Sequence, residues 1–212
     1  MSYGTVADPL LTLYAMCNTS LNSGEKNLTS LGTDDLRIIN EVLNDNYNAF
    51  EKLIKKYQGV ISKQMYRFSR NPADVEELTH DVFVKAYLSL SSFKGKAPFI
   101  HWLRKIAVRV GYKFWKEKSR RKELYVSFSD IEESVDALVN NRITDVSRAG
   151  ELLDRLLRLL KPRDRLILTL IYWDGYTIAE TAELTGWSKA IIKVQAYRAR
   201  KKLKKHLEEF MK

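Results

Sequence analysis

A stripe of positive charge with aromatic residues among it is the clearest chemical pattern in this 212-residue sequence. Four cations at spacings of four, three and four share one side of a predicted helix: Arg109, Lys113, Lys116 and Arg120. The aromatic residues among them are Trp102, Tyr112 and Trp115. Cations bind phosphate groups, and flat rings stack on unpaired bases. The pattern predicts a nucleic-acid-binding surface, although the aromatic residues could instead pack between helices.

A second predicted binding surface lies on the helix that follows Ser188. Thr177 is a suitable N-cap for the first helix of a helix-turn-helix, Gly186 permits a left-handed turn, and Ser188 caps the second helix. The residues of the second helix predicted to face the core are Ile192, Ala196, Ala199 and Leu203. Its outward residues, where a recognition helix meets base edges and phosphates, are Lys189, Lys193, Val194, Tyr197 and Arg198.

Patterns for catalysis or metal binding are weak. Glu77 and His80 have the E-x-x-H spacing of helical di-iron sites, but such a site needs a second copy and two further glutamates. The other histidines, His101 and His206, have no glutamate three residues before them. The sequence also contains no phosphate-binding loop, no H-E-x-x-H and no G-x-S-x-G. We therefore expect a protein that is not an enzyme and that needs no metal or other cofactor.

Composition narrows the class of partner. Lys and Arg total 36 against 26 Asp and Glu, a net charge of +10 that suits nucleic acid or an anionic membrane surface. No apolar run approaches the ~18 residues of a transmembrane helix. The first basic residue is Lys26, so the charged start of a signal peptide is missing. The single cysteine, Cys17, excludes an internal disulfide framework. These features predict a cytoplasmic protein without membrane insertion.

The elements that must position these residues are predicted to be helices throughout. A first helix begins near Asp34 and carries Leu36, Ile39 and Leu43. A second, over about 48–69, has one apolar stripe: Phe50, Ile54, Tyr57, Ile61, Met65 and Phe68. Asn71 and Pro72 begin a third helix with two adjacent apolar stripes. The buried face of the fourth, over about 99–121, is predicted to be Phe99, Leu103, Ile106, Val110 and Phe114.

The distribution of charge and polar residues predicts two domains. Residues 1–33 are rich in Asn, Ser, Thr and Gly and are predicted to form a flexible N-terminal extension. A helical bundle follows over 34–122, and a helix-turn-helix domain occupies 150–212. The acidic stretch between them, 123–149, lacks a sustained period and is predicted to be a flexible linker. The expected fold is all-α, with two small helical domains.

Two blocks of this sequence resemble the sigma-70 family of bacterial transcription initiation factors. The segment 74–87, DVEELTHDVFVKAY, resembles region 2.2, and Phe93-Lys94-Gly95 followed by 99–107, FIHWLRKIA, resembles regions 2.3 and 2.4. The segment 177–200, which ends Tyr-Arg-Ala-Arg, resembles region 4.2. Their order, their spacing and the lack of a region 3 domain resemble the extracytoplasmic-function (ECF) group of small sigma factors.

The resemblance implies partners and roles. Such a protein binds core RNA polymerase, through the clamp helices of the largest subunit and the flap of the second, and an anti-sigma factor is a further expected partner. Region 4 would bind the promoter's minus-35 element, through Ser188, Lys189, Lys193, Val194, Tyr197 and Arg198. Region 2 would bind and melt the minus-ten element, through Phe93, Lys94, Lys96, Trp102, Arg109, Tyr112, Lys113 and Lys116. The polymerase-binding face would be Asp74, Glu77, Asp81, Val82, Phe83 and Tyr87.

Some residues depart from the family pattern. Arg109 stands where many relatives have Asn, which predicts a different minus-ten preference. Thr181 and Thr185 replace aliphatic residues that are common in the first helix of the helix-turn-helix. A different class of function is also consistent with a helix-turn-helix, namely a one-component DNA-binding regulator that acts without polymerase. That alternative leaves the third helix and the basic, aromatic fourth helix without a role.

Overall fold

The computed structural model describes residues 32–121 and 153–210. These residues fall into two compact units, divided between Glu117 and Lys118. Every regular element in the described ranges is helical, as predicted, and no helix there is long and apolar enough to cross a membrane. The predicted acidic linker lies entirely outside the described ranges, and so does the predicted N-terminal extension except for residues 32–33. The bounds of the four predicted segments remain predictions.

The first unit is built on one central helix. Its helices are α1 (Gly32–Leu43), α2 (Phe50–Met65), α3 (Pro72–Leu88) and α4 (Phe99–Arg120), with short 3₁₀ turns at Tyr47–Ala49 and Leu90–Ser92. The apolar stripe predicted for α2 is buried with one exception, because Ile54 is half-exposed and Leu53 takes the fully buried position. The helix packs against both α1 and α3.

A buried carboxylate on α1 links this helix to α2 by hydrogen bonds. The carboxylate of Asp35 is buried and accepts hydrogen bonds from the Lys56 ammonium and the Tyr57 hydroxyl. Burial, together with that hydrogen bond, raises the pKa of the Tyr57 phenol far above its usual range. The predicted apolar face of α1 was partly wrong. Ile39 is buried, but Leu36 and Leu43 are exposed, because α1 turns Ile38 and Val42 toward the core instead.

The start of α3 is as predicted. Asn71 adopts an extended conformation and its side-chain oxygen accepts from the Ala73 amide at 3.0 Å. Pro72 occupies the first turn, where its missing N–H costs nothing. The Ser69 hydroxyl donates to Asp74 at 2.6 Å and so joins the preceding loop to that turn. These local contacts set the position at which α3 leaves α2.

The core face of α4 differs from the prediction at two of its five positions. Ile106 and Phe114 are half-buried, whereas Trp115 is fully buried. The Trp115 indole N–H donates to the carbonyl of Phe68 at 2.8 Å, and the two ring centroids are 4.6 Å apart. Gly111 lies directly against the same Phe68 ring, since a Cβ on Gly111 would come within 2.4 Å of it. Helix α4 can approach Phe68, in the turn that follows α2, this closely only with glycine at that position.

The second unit contains the predicted helix-turn-helix. Residues 153–158 form α5, which is followed by α6 (Pro162–Leu168), a π-helical turn (Thr169–Trp173), α7 (Ile178–Thr185) and α8 (Lys189–Phe210). Thr177 and Glu180 form a reciprocal capping box at the start of α7. Gly186 ends α7 in the left-handed conformation with φ of 77°, as predicted. The Ser188 hydroxyl then accepts from the Ile191 amide at 3.3 Å and caps α8.

The inner face of α8 is the one that the sequence predicts, with Ile192, Ala196, Ala199 and Leu203 all buried. A buried carboxylate adds a polar link to α6, because Asp164 accepts from the Gln195 amide and from the Lys202 ammonium. In α7, Thr181 is fully buried, and among the described residues its hydroxyl has no hydrogen-bond partner. An unpaired buried hydroxyl costs stability, so this threonine weakens the packing of the helix-turn-helix.

Candidate nucleic-acid interfaces

The outer face of α8 brings the predicted minus-35 residues together on one helix. All six side chains are exposed: Ser188, Lys189, Lys193, Val194, Tyr197 and Arg198. Lys189, Lys193 and Tyr197 follow one another at spacings of four, so they form a row along the helix, and Val194 and Arg198 form a second row beside it. Tyr197 exposes 62% of its surface although it is a large aromatic residue. The core of the unit needs none of these side chains.

The cations of this face are electrostatically unpaired. Within the described ranges, Lys189, Lys193 and Arg198 form no ion pair with an acidic side chain. Further along the helix two lysines do have partners, since Lys202 pairs with Asp164 at 2.6 Å and Lys204 with Glu208 at 3.8 Å. The start of α8 therefore presents uncompensated positive charge, which attracts the phosphates of DNA. The exposed side chain of Val194 adds an apolar group that can contact a thymine methyl.

In the first unit, three aromatic rings hold the loop 93–98 against α4. The centroids of Phe93, Phe99 and Trp102 are each 5.5 Å from the other two, and the Phe93 and Phe99 rings meet edge to face. Phe99 is buried, whereas Phe93 and Trp102 are half-buried. Phe93 and Trp102, two of the three predicted minus-ten aromatics, are thus partly packed and partly exposed, and a base can stack on the exposed part.

The loop also carries the two predicted lysines. Lys94 and Lys96 are exposed on either side of Gly95, whose φ of 65° is in the left-handed region. A Cβ on Gly95 would come within 3.1 Å of the exposed Leu36 side chain, so the loop passes close to α1. This turn presents both ammonium groups to solvent next to the aromatic cluster.

Along α4, the predicted basic stripe is exposed. Arg109, Lys113 and Lys116 all face solvent, and Arg109 forms no ion pair with any other described residue. The Lys116 ammonium lies 5.9 Å from the centroid of the half-buried Tyr112 ring, and Lys113 pairs with Glu117 at 3.5 Å. Trp115 does not belong to this surface, because it is buried on the opposite side. The packing alternative was therefore correct for Trp115.

The predicted polymerase-binding face of α3 requires a correction. Val82 and Phe83 are buried in the packing of the first unit and offer almost no surface to a partner. Glu77 is exposed, Tyr87 keeps 38% of its surface, and Asp81 is half-exposed and paired with Lys85 at 3.4 Å. The sixth member, Asp74, is half-buried in the first turn of the helix. Only the outer members of the predicted set can therefore contact another protein directly.

Two apolar residues of the same helix were missed. Leu88 exposes 75% of its surface and Val84 exposes 39%. They are four residues apart and so share a side of α3, a signal that the sequence contains. Glu77 and His80, the E-x-x-H pair, are both exposed. The described residues contain no group of three His, Cys, Asp or Glu side chains arranged to hold a metal ion.

Comparisons with known proteins match both units. The family model for sigma-70 region 2 matches residues 53–121, and that for sigma-70 region 4 matches residues 150–203. The chain is 25% identical over 185 residues to the ECF RNA polymerase sigma-E factor of Haemophilus influenzae, covering 84% of this chain and 97% of that protein. It is 26% identical over 166 residues to the RNA polymerase sigma factor YlaC of Bacillus subtilis, covering 76% and 92%.

The fold also matches a solved structure. CnrH, solved in complex with the cytosolic domain of CnrY, aligns over 81% of this chain and 96% of its own, with a TM-score of 0.51 and 20% sequence identity. At that identity the likeness concerns the fold alone. The all-α architecture predicted from the sequence is thus shared with a protein of known structure.

Proposed function

This chain belongs to the sigma-70 family of transcription initiation factors, which bind RNA polymerase and recognise promoters, and from that premise we propose which surfaces perform each task. The second unit binds the minus-35 element, and the first binds the minus-ten element and helps to melt it. The polymerase carries out the chemistry of RNA synthesis, and this chain makes no covalent bonds. Such a factor acts in the cytoplasm, on the chromosome.

The minus-35 element is bound through α8. Its exposed face has a suitable size and charge for the major groove, which admits a single α-helix. Arg198 and Lys193 supply donors for base edges or phosphates, and Tyr197 and Val194 supply apolar contact. The unpaired charge at the start of the helix supports this assignment.

The minus-ten element is bound by the loop 93–98 and the outer side of α4. Melting costs a few kcal/mol for each base that leaves the stack, and a protein offsets that cost by stacking and pairing with the extruded base. The half-exposed rings of Phe93 and Trp102 supply the stacking surface, with Lys94 and Lys96 beside them for the backbone. Arg109, Tyr112, Lys113 and Lys116 extend the contact along α4.

Core polymerase is bound by the exposed side of α3. The acidic side chains of Glu77 and Asp81 would meet a basic partner, and Tyr87, with the neighbouring Val84 and Leu88, supplies apolar contact. Interfaces typically combine an apolar centre with a polar rim, and this side of α3 has both. The family precedent assigns the clamp helices of the largest subunit to this face and the flap of the second subunit to region 4. It also makes an anti-sigma factor a proposed partner.

The observation that carries the proposal is the coexistence of two sets of exposed basic side chains, one in each unit, with an acidic and apolar face on α3. A one-component helix-turn-helix regulator would use α8 alone and would leave α3 and α4 without a role. A pull-down with purified core RNA polymerase separates the two functions. We expect the chain to form a stable complex with the polymerase. Sequence-specific DNA binding by the chain alone, with no polymerase bound, would favour the regulator.

A further inference from the structure

A cation outside the recognition helix is fixed beside it. Arg163, on α6, places its guanidinium carbon 4.8 Å from the centroid of the Trp187 ring. Trp187 lies in the turn between α7 and α8 and immediately precedes Ser188. From this geometry we propose that Arg163, held by Trp187, binds a DNA phosphate next to the minus-35 element. The inference rests on the proposed function of the second unit and adds a contact from a different helix.

The ring that holds the guanidinium is itself fixed. Trp187 is partly buried and packs against the small apolar cluster at the centre of the helix-turn-helix, formed by Ile167, Ala182, Ile192 and Ala196. Arginine stacks on aromatic faces through its planar guanidinium, and its N–H donors remain free at the edges of that plane. Because Trp187 cannot move far, the guanidinium is preorganised. Binding a phosphate then costs less conformational entropy than it would for a freely rotating side chain.

The charge of Arg163 is also available. Its side chain is exposed, and among the described residues it forms no ion pair with a carboxylate. Other arginines of the same unit differ, since Arg158 and Arg165 both bind the carboxylate of Asp154. Lys189, which begins α8 two residues after Trp187, is likewise exposed and forms no ion pair among the described residues. Packing against Trp187 alone would be compatible with a neighbouring carboxylate that neutralised Arg163. Phosphate binding requires the free positive charge that the structure shows.

The test compares holoenzymes reconstituted from core polymerase and each variant of the full chain. The probe is a DNA duplex that carries a minus-35 sequence selected by the wild-type holoenzyme from a randomised library, and its affinity is measured over a series of salt concentrations. Arg163→Gln is expected to make the slope of log affinity against log salt shallower by about 0.9, the value for one phosphate contact. It should weaken every minus-35 sequence by a similar factor, because phosphate contacts carry no sequence information.

Two further variants isolate the cause. Arg163→Lys keeps the charge and should keep the slope of the wild type. Lys204→Gln removes the same charge at an exposed site about 22 Å further along α8, and it should leave the slope unchanged. An equal loss of slope in Lys204→Gln would overturn the proposal, since the effect would then reflect net charge alone.

The melting temperature of each variant distinguishes binding from packing. A lower melting temperature with an unchanged salt slope would show that Arg163 only covers Trp187, and an unchanged slope at an unchanged melting temperature would also overturn the phosphate contact. In both cases intact minus-35 binding by the wild-type holoenzyme would leave the proposed function standing. A wild-type holoenzyme with no preference for any minus-35 sequence would overturn both.

Discussion

The two units differ in whether the residues that form the core are separate from the residues proposed to bind a partner. On α8 of the second unit, the side chains that build the core and those proposed to contact DNA are separate sets on opposite faces. In the first unit the two roles overlap. Phe93 and Trp102 pack against Phe99 while they expose the rest of their surface, and the proposed polymerase-binding helix α3 has buried residues next to exposed ones.

This difference has consequences for mutation and for folding. A substitution on the outer face of α8 should change DNA binding without changing stability, because no core contact is lost. Substitutions of the buried residues of α3, or of the aromatic cluster, should alter stability and binding together. A surface that must both melt DNA and bind polymerase therefore depends on the packing beneath it, whereas a recognition helix needs only to be held rigidly.

The largest effect is expected from Phe83→Ala. Phe83 is buried in the first unit, and removal of a buried phenyl ring costs about 3–5 kcal/mol of unfolding free energy. Leu88→Ala on the same helix is the matched control, because its side chain is mostly exposed, and its effect should be within about 0.5 kcal/mol. Denaturant unfolding of both variants measures the difference. Equal stability losses would show that the two sides of α3 are not distinct.

In the second unit, Arg198→Ala and Lys193→Ala should weaken DNA binding and leave stability unchanged. We expect a loss of ~1–3 kcal/mol in binding to the minus-35 element for Arg198→Ala if it makes a bidentate base contact, with an unchanged melting temperature. The measurement is transcription from a promoter that depends on its minus-35 element. Normal activity of both variants would remove α8 from the proposed interface.

The close contact between α4 and the Phe68 ring supplies a smaller, purely structural effect. Gly111→Ala forces a methyl group into the Phe68 ring, which would lie 2.4 Å away, and overpacking of this kind costs about 1–3 kcal/mol. Gly59→Ala is the control, since a Cβ on Gly59 meets no atom within 4 Å and α2 should gain roughly 0.5–1 kcal/mol from it. Thermal unfolding should move in opposite directions for the two variants. A stabilising Gly111→Ala would contradict the observed packing.

Charge reversal on α3 should act on polymerase binding alone. Asp81→Arg places a cation where an attraction to a basic partner is proposed, and loss of an exposed pair is worth roughly 1 kcal/mol. The ion pair between Asp81 and Lys85 is exposed to solvent, so its loss should change the stability of the first unit little. Titration against core polymerase measures the affinity, and the melting temperature measures the stability. Unchanged affinity with an unchanged fold would remove this face from the interface.

The smallest effect on total affinity is expected from Arg109→Asn. Arg109 is exposed on the basic stripe, where arginine prefers the O6 and N7 atoms of guanine when it contacts a base. We expect a change in which minus-ten sequences are used, with only a modest loss of overall affinity. Transcription from a library randomised across the minus-ten element is the measurement. A uniform decrease with the same ranking of sequences would identify Arg109 as a phosphate contact only.

The separation of core and surface residues on α8 explains why its buried and exposed faces could be predicted from the sequence. On α8 the inner residues are aliphatic or small and the outer ones mostly polar, so the helical period predicts the buried and exposed faces correctly. The caps at Asn71, Thr177 and Ser188 and the glycine turn at Gly186 are local features, and they too were predicted correctly.

The errors arise where burial depends on distant partners. Helix α3 has two apolar stripes, and no local spacing shows that Val82 and Phe83 both fit inside the unit. Trp115 stands among cations, yet its indole bonds the carbonyl of Phe68, 47 residues earlier in the chain. The pairing of Arg163 with Trp187 is of the same kind. Such contacts require the tertiary structure.

The most direct test of the central claim is transcription by purified core polymerase with this chain on a library of randomised promoter sequences. The account predicts that the chain directs initiation to sequences with two preferred blocks, one near minus-35 and one near minus-ten. Arg198→Ala should weaken the sequence preference of the minus-35 block alone, and Arg109→Asn should change the preferred sequence of the minus-ten block alone. Transcription that is no more selective with the chain than with core polymerase by itself would contradict the account.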